Sequence, residues 1–202
     1  MTMHQRCIVT PHGQQGAASE KGNQYGRLKG IVMGRHEFTL VLDHMPTDDE
    51  LDALYDAGLD DSTPEFGPRT TPLLHLHRDD DSLASAIISA VGQAETAGFA
   101  VVGVRTENLV TLKTIAARTG RTYESVRRLA NGDRGPGGFP APMSGDGYAL
   151  YSWTEAARWF AEHYGIPDTT TPYDRIIAAA DHLVRARHLL GGDTGQLSAL
   201  AS

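Results

Sequence analysis

Between residues 36 and 104 the spacing of apolar residues switches repeatedly between a strand-like and a helix-like pattern. A run that alternates or is densely β-branched is buried by a sheet, and a 3.6-residue period is buried by a helix. The switching therefore restricts this segment to a mixed α and β structure. Glu37-Phe-Thr-Leu-Val-Leu42 reads as a strand. Pro46 and Thr47 open a helix whose first turn carries Asp48, Asp49 and Glu50, carboxylates suited to the positive end of a helix dipole. Leu51, Leu54 and Tyr55 form its apolar stripe, and Gly58 ends it.

Ser62 to Phe66 is a strand candidate, and Leu73-Leu-His-Leu-His77 is another. Asp81 or Ser82 caps a second helix reaching about Ala97, with Leu83, Ile87, Ile88, Val91 and Ala94 at helical spacing and Gly98 as its stop. Phe99 to Val104 is the last strand. The order β-α-β-β-α-β is that of a ferredoxin-like split βαβ arrangement. The expected fold class is thus α+β: a ferredoxin-like βαββαβ module, then a winged helix-turn-helix, then a C-terminal helix. The expected divisions are a flexible tail over 1–34, an acidic module over 35–106, a DNA-binding domain over 107–165, and a C-terminal helix with a frayed end over 166–202.

The chain has 202 residues, 40% hydrophobic and 21% charged, which suits one large domain or two small ones with a packed core. No window approaches 18 consecutive apolar residues, so no membrane span is expected. The N-terminus lacks an apolar h-region and reads as free of a secretory signal. Cys7, the only cysteine, excludes an internal disulfide and a Cys-based zinc site. A cytoplasmic protein is expected. The Gly-rich start reads as a tail without a role, or as a basic arm touching DNA phosphates, and Met33 is a candidate start.

The formal net charge of −7 argues against nucleic-acid binding when taken whole. Its distribution says otherwise. Residues 36–104 hold fourteen Asp/Glu against Arg69 and Arg78, whereas residues 110–138 hold Lys113, Arg118, Arg121, Arg127, Arg128 and Arg134 against Glu124 and Asp133. An acidic module thus precedes a locally basic one, which hints at separate partners.

The basic segment also has a specific pattern. Thr111 caps a short helix with Leu112, Ile115 and Ala116 on its inner face. Gly120 supplies a tight turn, and Thr122 caps a second helix that buries Val126 and Leu129. Small residues at the contact, Ala116 and Gly120, let the two helices cross steeply, as in a helix-turn-helix. The second helix then turns Thr122, Tyr123, Glu124, Arg127 and Arg128 outward. In this motif the start of the second helix enters the major groove, where Arg pairs with guanine and Glu accepts from cytosine. Arg121, Thr122 and the helix N-terminus suit phosphates. The expected DNA-binding residues are Arg121, Thr122, Tyr123, Glu124, Arg127, Arg128, Asn131 and Arg134.

Downstream, Gly135-Pro-Gly-Gly-Phe-Pro-Ala-Pro142 is followed by Tyr148-Ala-Leu-Tyr-Ser-Trp153 and by Thr154-Glu-Ala-Ala-Arg-Trp-Phe160. With the helix pair, this succession resembles the winged helix-turn-helix of the MerR and phage-excisionase type. There an FPxP element follows the recognition helix and leads into a β-wing, and a helix of W-(S/T)-E-x-x-x-W flavour packs behind. Phe139, Pro140, Pro142, Trp153, Thr154, Glu155 and Trp159 occupy those positions. The resemblance covers about 109–162 and excludes the acidic module. It implies a sequence-specific double-stranded DNA-binding protein, a transcriptional regulator in a small actinobacterial-like setting. One such domain implies weak binding alone, which leaves room for a homodimer or several copies on DNA. The long dimerising coiled coil of many MerR proteins is missing.

Other chemistries have less behind them. His75 and His77 share one strand face and could begin a metal site, but no third ligand stands at a suitable spacing. Asp79-Asp80-Asp81 lacks the rest of a calcium loop, and Gly135-Pro-Gly-Gly138 lacks the Lys-Ser/Thr of a P-loop. No catalytic pair stands out, so neither an enzyme nor a cofactor is expected. The alternative function is an antitoxin-like or adaptor protein whose acidic module binds a basic protein partner; otherwise the acidity serves solubility.

Overall fold

The computed structural model describes residues 34–144, 148–191 and 195. The readings of a tail before Gly34, of Met33 as a start and of fraying beyond Gly191 lie outside these residues, Gly195 apart. The described chain is α+β. Its elements are β1 (Gly34–Leu42), α1 (Asp48–Asp56), β2 (Ser62–Glu65), β3 (Leu73–Asp80), α2 (Leu83–Thr96), β4 (Val101–Val104), β5 (Leu109–Val110), α3 (Leu112–Thr119), α4 (Tyr123–Ala130), β6 (Tyr151–Ser152), α5 (Trp153–Tyr164) and α6 (Pro172–Leu189). The first four strands form an antiparallel sheet in the order β2-β3-β1-β4, and β5 pairs with β6 in a separate two-stranded ribbon.

Side-chain alternation sets the sheet register. Phe38 lies opposite Leu76 and Leu40 opposite Leu74, and all four are buried on the helix-covered face. Pro64 cannot donate to a ladder, and β2 is accordingly an edge strand. α1 starts with a capping box: Thr47 accepts from the Glu50 backbone N–H, and Glu50 accepts from the Thr47 backbone N–H at 2.8 Å. α2 is capped by Ser82 and buries Ala86, Ala90 and Ala94, whose small side chains let it lie close to the sheet. Arg78 is buried beneath α2, where its guanidinium donates to both Asp61 carboxylate oxygens at 2.7 and 2.8 Å, to Ser89 Oγ and to the Gly58 carbonyl. All three of its guanidinium nitrogens donate, in four hydrogen bonds, which is how a buried cation is tolerated.

The C-terminal helix joins this first core. Ile177 of α6 is part of the cluster that holds the sheet, α1 and α2 together. Asp181, only 2% exposed, accepts the Val104 backbone N–H at 2.9 Å and the Arg185 Nε–H at 2.9 Å. A Cβ on Gly103 would stand 2.8 Å from Asp181 Oδ1 and 2.9 Å from the Arg185 guanidinium, so a larger residue there would have to displace this pair where α6 packs on β4.

Helical periodicity placed several residues on the wrong side. Tyr55 is 67% exposed and Ile88 is 73% exposed, so neither joins the core stripe expected for its helix. In α6 the buried residues are Ile177, Ala178 and Asp181, while the apolar Ile176, Leu183 and Leu190 face outward. Two apolar stripes run along this helix, and periodicity alone does not say which one packs. Among the described residues no helix is long and apolar enough to cross a membrane.

Candidate nucleic-acid interface

The second core belongs to the helix pair. Ile115 and Ala116 of α3, Val126 and Leu129 of α4, Val110 and Tyr151 of the ribbon, and Ala156, Trp159 and Phe160 of α5 form one buried cluster. Local chemistry shapes each helix end. Thr111 Oγ accepts from the Thr114 N–H at 3.2 Å and Thr122 Oγ accepts from the Ser125 N–H at 3.2 Å. Between the helices, Gly120 adopts φ 65°, and the Arg121 N–H closes the turn on the Ala116 carbonyl at 2.9 Å.

The stretch after α4 is fixed by aromatic packing. Phe139 meets Tyr151, Trp159 and Phe160 edge-on, with ring centroids 5.8, 5.0 and 6.0 Å away. Trp159 Nε1–H donates to the Gly137 carbonyl at 3.1 Å. The loop beyond folds back on itself: the Met143 N–H donates to the Leu150 carbonyl at 2.7 Å, and Ser144 Oγ donates to the Tyr148 carbonyl at 2.9 Å. Residues 145–147 lie outside the described residues. Asn108, buried before β5, holds the far side: its side chain accepts from the Thr154 N–H and donates to Ser152 Oγ, and its carbonyl accepts from the Trp153 N–H. Neither β5 nor Asn108 was anticipated from the sequence; a two-residue strand has no period to detect.

Six cations make residues 110–138 locally basic in sequence, and the geometry divides them. Arg121 turns inward, with its guanidinium 4.1 Å from the Tyr164 ring centroid and 5.5 Å from that of Phe160. Its Nε is buried without a hydrogen-bond partner. This arginine, expected at phosphates, instead stacks from the turn between α3 and α4 onto two rings of α5. Arg118 lies 4.9 Å from the Trp153 ring centroid. Arg127 donates to both Glu124 carboxylate oxygens at 2.9 Å, and Arg128 Nε–H donates to one of them at 3.0 Å. These bonds, Arg127's first, hold the Glu124 carboxyl at a pKa of about 2, and the Arg127 guanidinium is raised in turn by Glu124. Lys113 and Arg134 are exposed and have no ion pair among the described residues.

Tyr123, Glu124, Arg127 and Arg128 lie together on the side of α4 opposite the buried Val126 and Leu129. Thr122 is beside them, although its hydroxyl is already used as the cap. Asn131 and Arg134 follow on the exposed turn after the helix, where Asn131 Nδ2–H reaches Asp133 at 3.5 Å. Of these eight residues, Arg121 is the one whose guanidinium stacks on the α5 rings, half-buried, rather than standing on the outer side of α4 or the turn after it. The spacing of Glu124 with residues three and four positions on was the sequence signal for its arginine pairs.

The histidines of β3 are occupied with neighbours. His75 contacts Glu65 at 2.7 Å and Thr39 at 3.0 Å, and His77 lies 3.4 Å from Glu37. No group of three or more His, Cys, Asp or Glu side chains that could hold a metal occurs among the described residues.

No protein-family model matches the chain, and no curated protein or solved structure matches it either.

Proposed function

We propose that this protein binds double-stranded DNA sequence-specifically through α3 and α4, and that it acts in the cytoplasm as a transcriptional regulator without catalysing a reaction. The observation that carries this reading is the exposed side of α4. It gathers Tyr123, Glu124, Arg127 and Arg128 on a helix held to α3 by the left-handed turn at Gly120. A helix presented this way fits the major groove, with arginine donors for guanine and the Glu124 carboxylate for the cytosine amino group. Residues 139–144 and 148–152 fit the role of a wing beside it. In the same reading the first module is ferredoxin-like, in keeping with its antiparallel order β2-β3-β1-β4.

The test is selection of bound duplexes from a random library, followed by gel-shift titration of the enriched site. The protein should enrich a defined sequence. Arg127→Ala combined with Arg128→Ala should weaken binding at least tenfold with little change in melting, because both side chains lie on the surface. Enrichment of no sequence, or equal retention of the double variant, overturns the reading.

A further inference from the structure

Among the described residues a second surface, far from polar, stands without a partner. The outer sides of α2 and α6 form a shared apolar groove of about 510 Å³. It is lined by the small residues Ala84, Gly92, Ala179 and Ala180 and by Ile88 and Leu183, which are 73% and 61% exposed. From Leu83 to Ala94, α2 has no charged side chain, in a module otherwise crowded with carboxylates. At one end Arg187 pairs with Glu95, so the single cation lining the groove is already neutralised.

We infer that this α2–α6 surface is where a second copy of the chain docks, making a two-fold dimer. Three features select a copy over other occupants. First, the surface has both exposed large side chains and a groove lined in part by small residues. A two-fold contact needs one patch that fits itself, and here Ile88 and Leu183 of each copy have a groove to enter. Second, the charge pattern suits it. Two copies of an acidic module repel one another wherever carboxylates meet, and α2 presents a charge-free stretch along most of its length. A basic partner would find no carboxylate on it to pair with. A small ligand would find no free polar group to orient it.

Third, the size is adequate. α2 has 14 residues and α6 has 18. Side by side they present roughly 500 Å² in flat projection at 1.5 Å rise per residue and 8–10 Å between axes. Accessible area on a corrugated surface exceeds its projection, which brings the patch near the ~800 Å² per partner of a standard interface. This inference goes beyond the DNA-binding reading and does not depend on it.

Sedimentation equilibrium of the full-length chain without DNA tests it. The wild type should sediment at twice 21.8 kDa at micromolar concentration. Ile88→Asp and Leu183→Asp should each sediment at the single-chain mass, with unchanged far-ultraviolet circular dichroism and melting extrapolated to infinite dilution. Should an aspartate variant fail to fold, Ile88→Ser and Leu183→Ser are read instead, with dimer dissociation constants raised at least tenfold. Tyr55→Asp, on the exposed side of α1, should remain dimeric. A monomeric wild type overturns the inference, as do variants that stay dimeric. A monomer whose own melting temperature falls on Leu183→Asp also overturns it, since the surface is then covered by another part of the same chain.

Discussion

Glu124→Gln isolates the electrostatics of the reading helix. The glutamine keeps the shape of the side chain and removes one negative charge from between Arg127 and Arg128. In the free protein that carboxylate occupies three guanidinium N–H donors, all at 2.9–3.0 Å. DNA must compete with it for both arginines. Each phosphate newly neutralised adds about 0.9 to the slope of log Kobs against log salt. Releasing one arginine therefore steepens the slope by about 0.9, and releasing both by about 1.8. Between 50 and 200 mM salt, the variant should lose roughly 3- to 12-fold more affinity than the wild type on a non-specific duplex, having started tighter at 50 mM. Fluorescence anisotropy across a salt series reads this directly. Because the Glu124 carboxyl titrates near pH 2, the difference should be constant from pH 5 to pH 9. Identical slopes, or weaker non-specific binding by the variant at low salt, would refute the competition.

Three further expectations concern the scaffold. Asp181→Ala strands the buried Val104 N–H and should cost about 1–3 kcal/mol in urea denaturation, whereas a neutral result would mean that water replaces the carboxylate. A Cβ on Gly120 meets no atom within 4 Å, so the cost of Gly120→Val is chiefly backbone strain in the left-handed region, about 1–3 kcal/mol, and Gly120→Asn should cost clearly less in the same calorimetric scan. Glu50 is held at a pKa of about 2, first by the Thr47 backbone N–H, against an ordinary value of 4.5. A depressed folded pKa adds stability above the unfolded value and loses it as pH falls through the folded one. The melting difference between wild type and Glu50→Gln should thus be full at pH 7, begin to shrink below about pH 4.5 and vanish near pH 2.

Local signals were legible in the sequence and long-range ones were not. The helix starts at Thr47, Ser82, Thr111 and Thr122, and the turn at Gly120, each rest on a few neighbouring residues, and the structure has them where the sequence put them. β3 runs on to Asp80 beyond the expected end at His77, because its pairing with β1 continues as far as Gly34. Burial was harder. Ile88 and Leu183 keep helical spacing with core residues yet face outward, since a spacing defines a stripe and tertiary packing decides which stripe is covered. Asp181 gave no sign of burial, because its partner, the Val104 N–H, lies 77 positions away. The six cations of residues 110–138 could be counted but not apportioned. Whether an arginine faces solvent or a ring depends on α5, whose Tyr164 and Phe160 receive Arg121.

That apportionment changes how the charge pattern bears on function. Two of the six cations are stacked on aromatic rings, two share one carboxylate, and only Lys113 and Arg134 stand unpaired among the described residues. Under the proposed DNA-binding function, a single face so provided is too weakly charged to hold DNA by phosphate contacts alone, since affinity from that source grows with the number neutralised. Discrimination then rests on base-edge contacts, where each bidentate arginine contributes about 1–3 kcal/mol. Sparse phosphate binding and modest readout are useful together only if two faces act at once, because pairing doubles the base contacts while non-specific attraction stays low. The carboxylates of residues 36–104 push in the same direction, opposing any approach to DNA that the reading helix does not direct. On this view the chain's net charge of −7 is a means of selectivity, and the apolar α2–α6 surface is the part of the acidic module where two copies can meet without that repulsion.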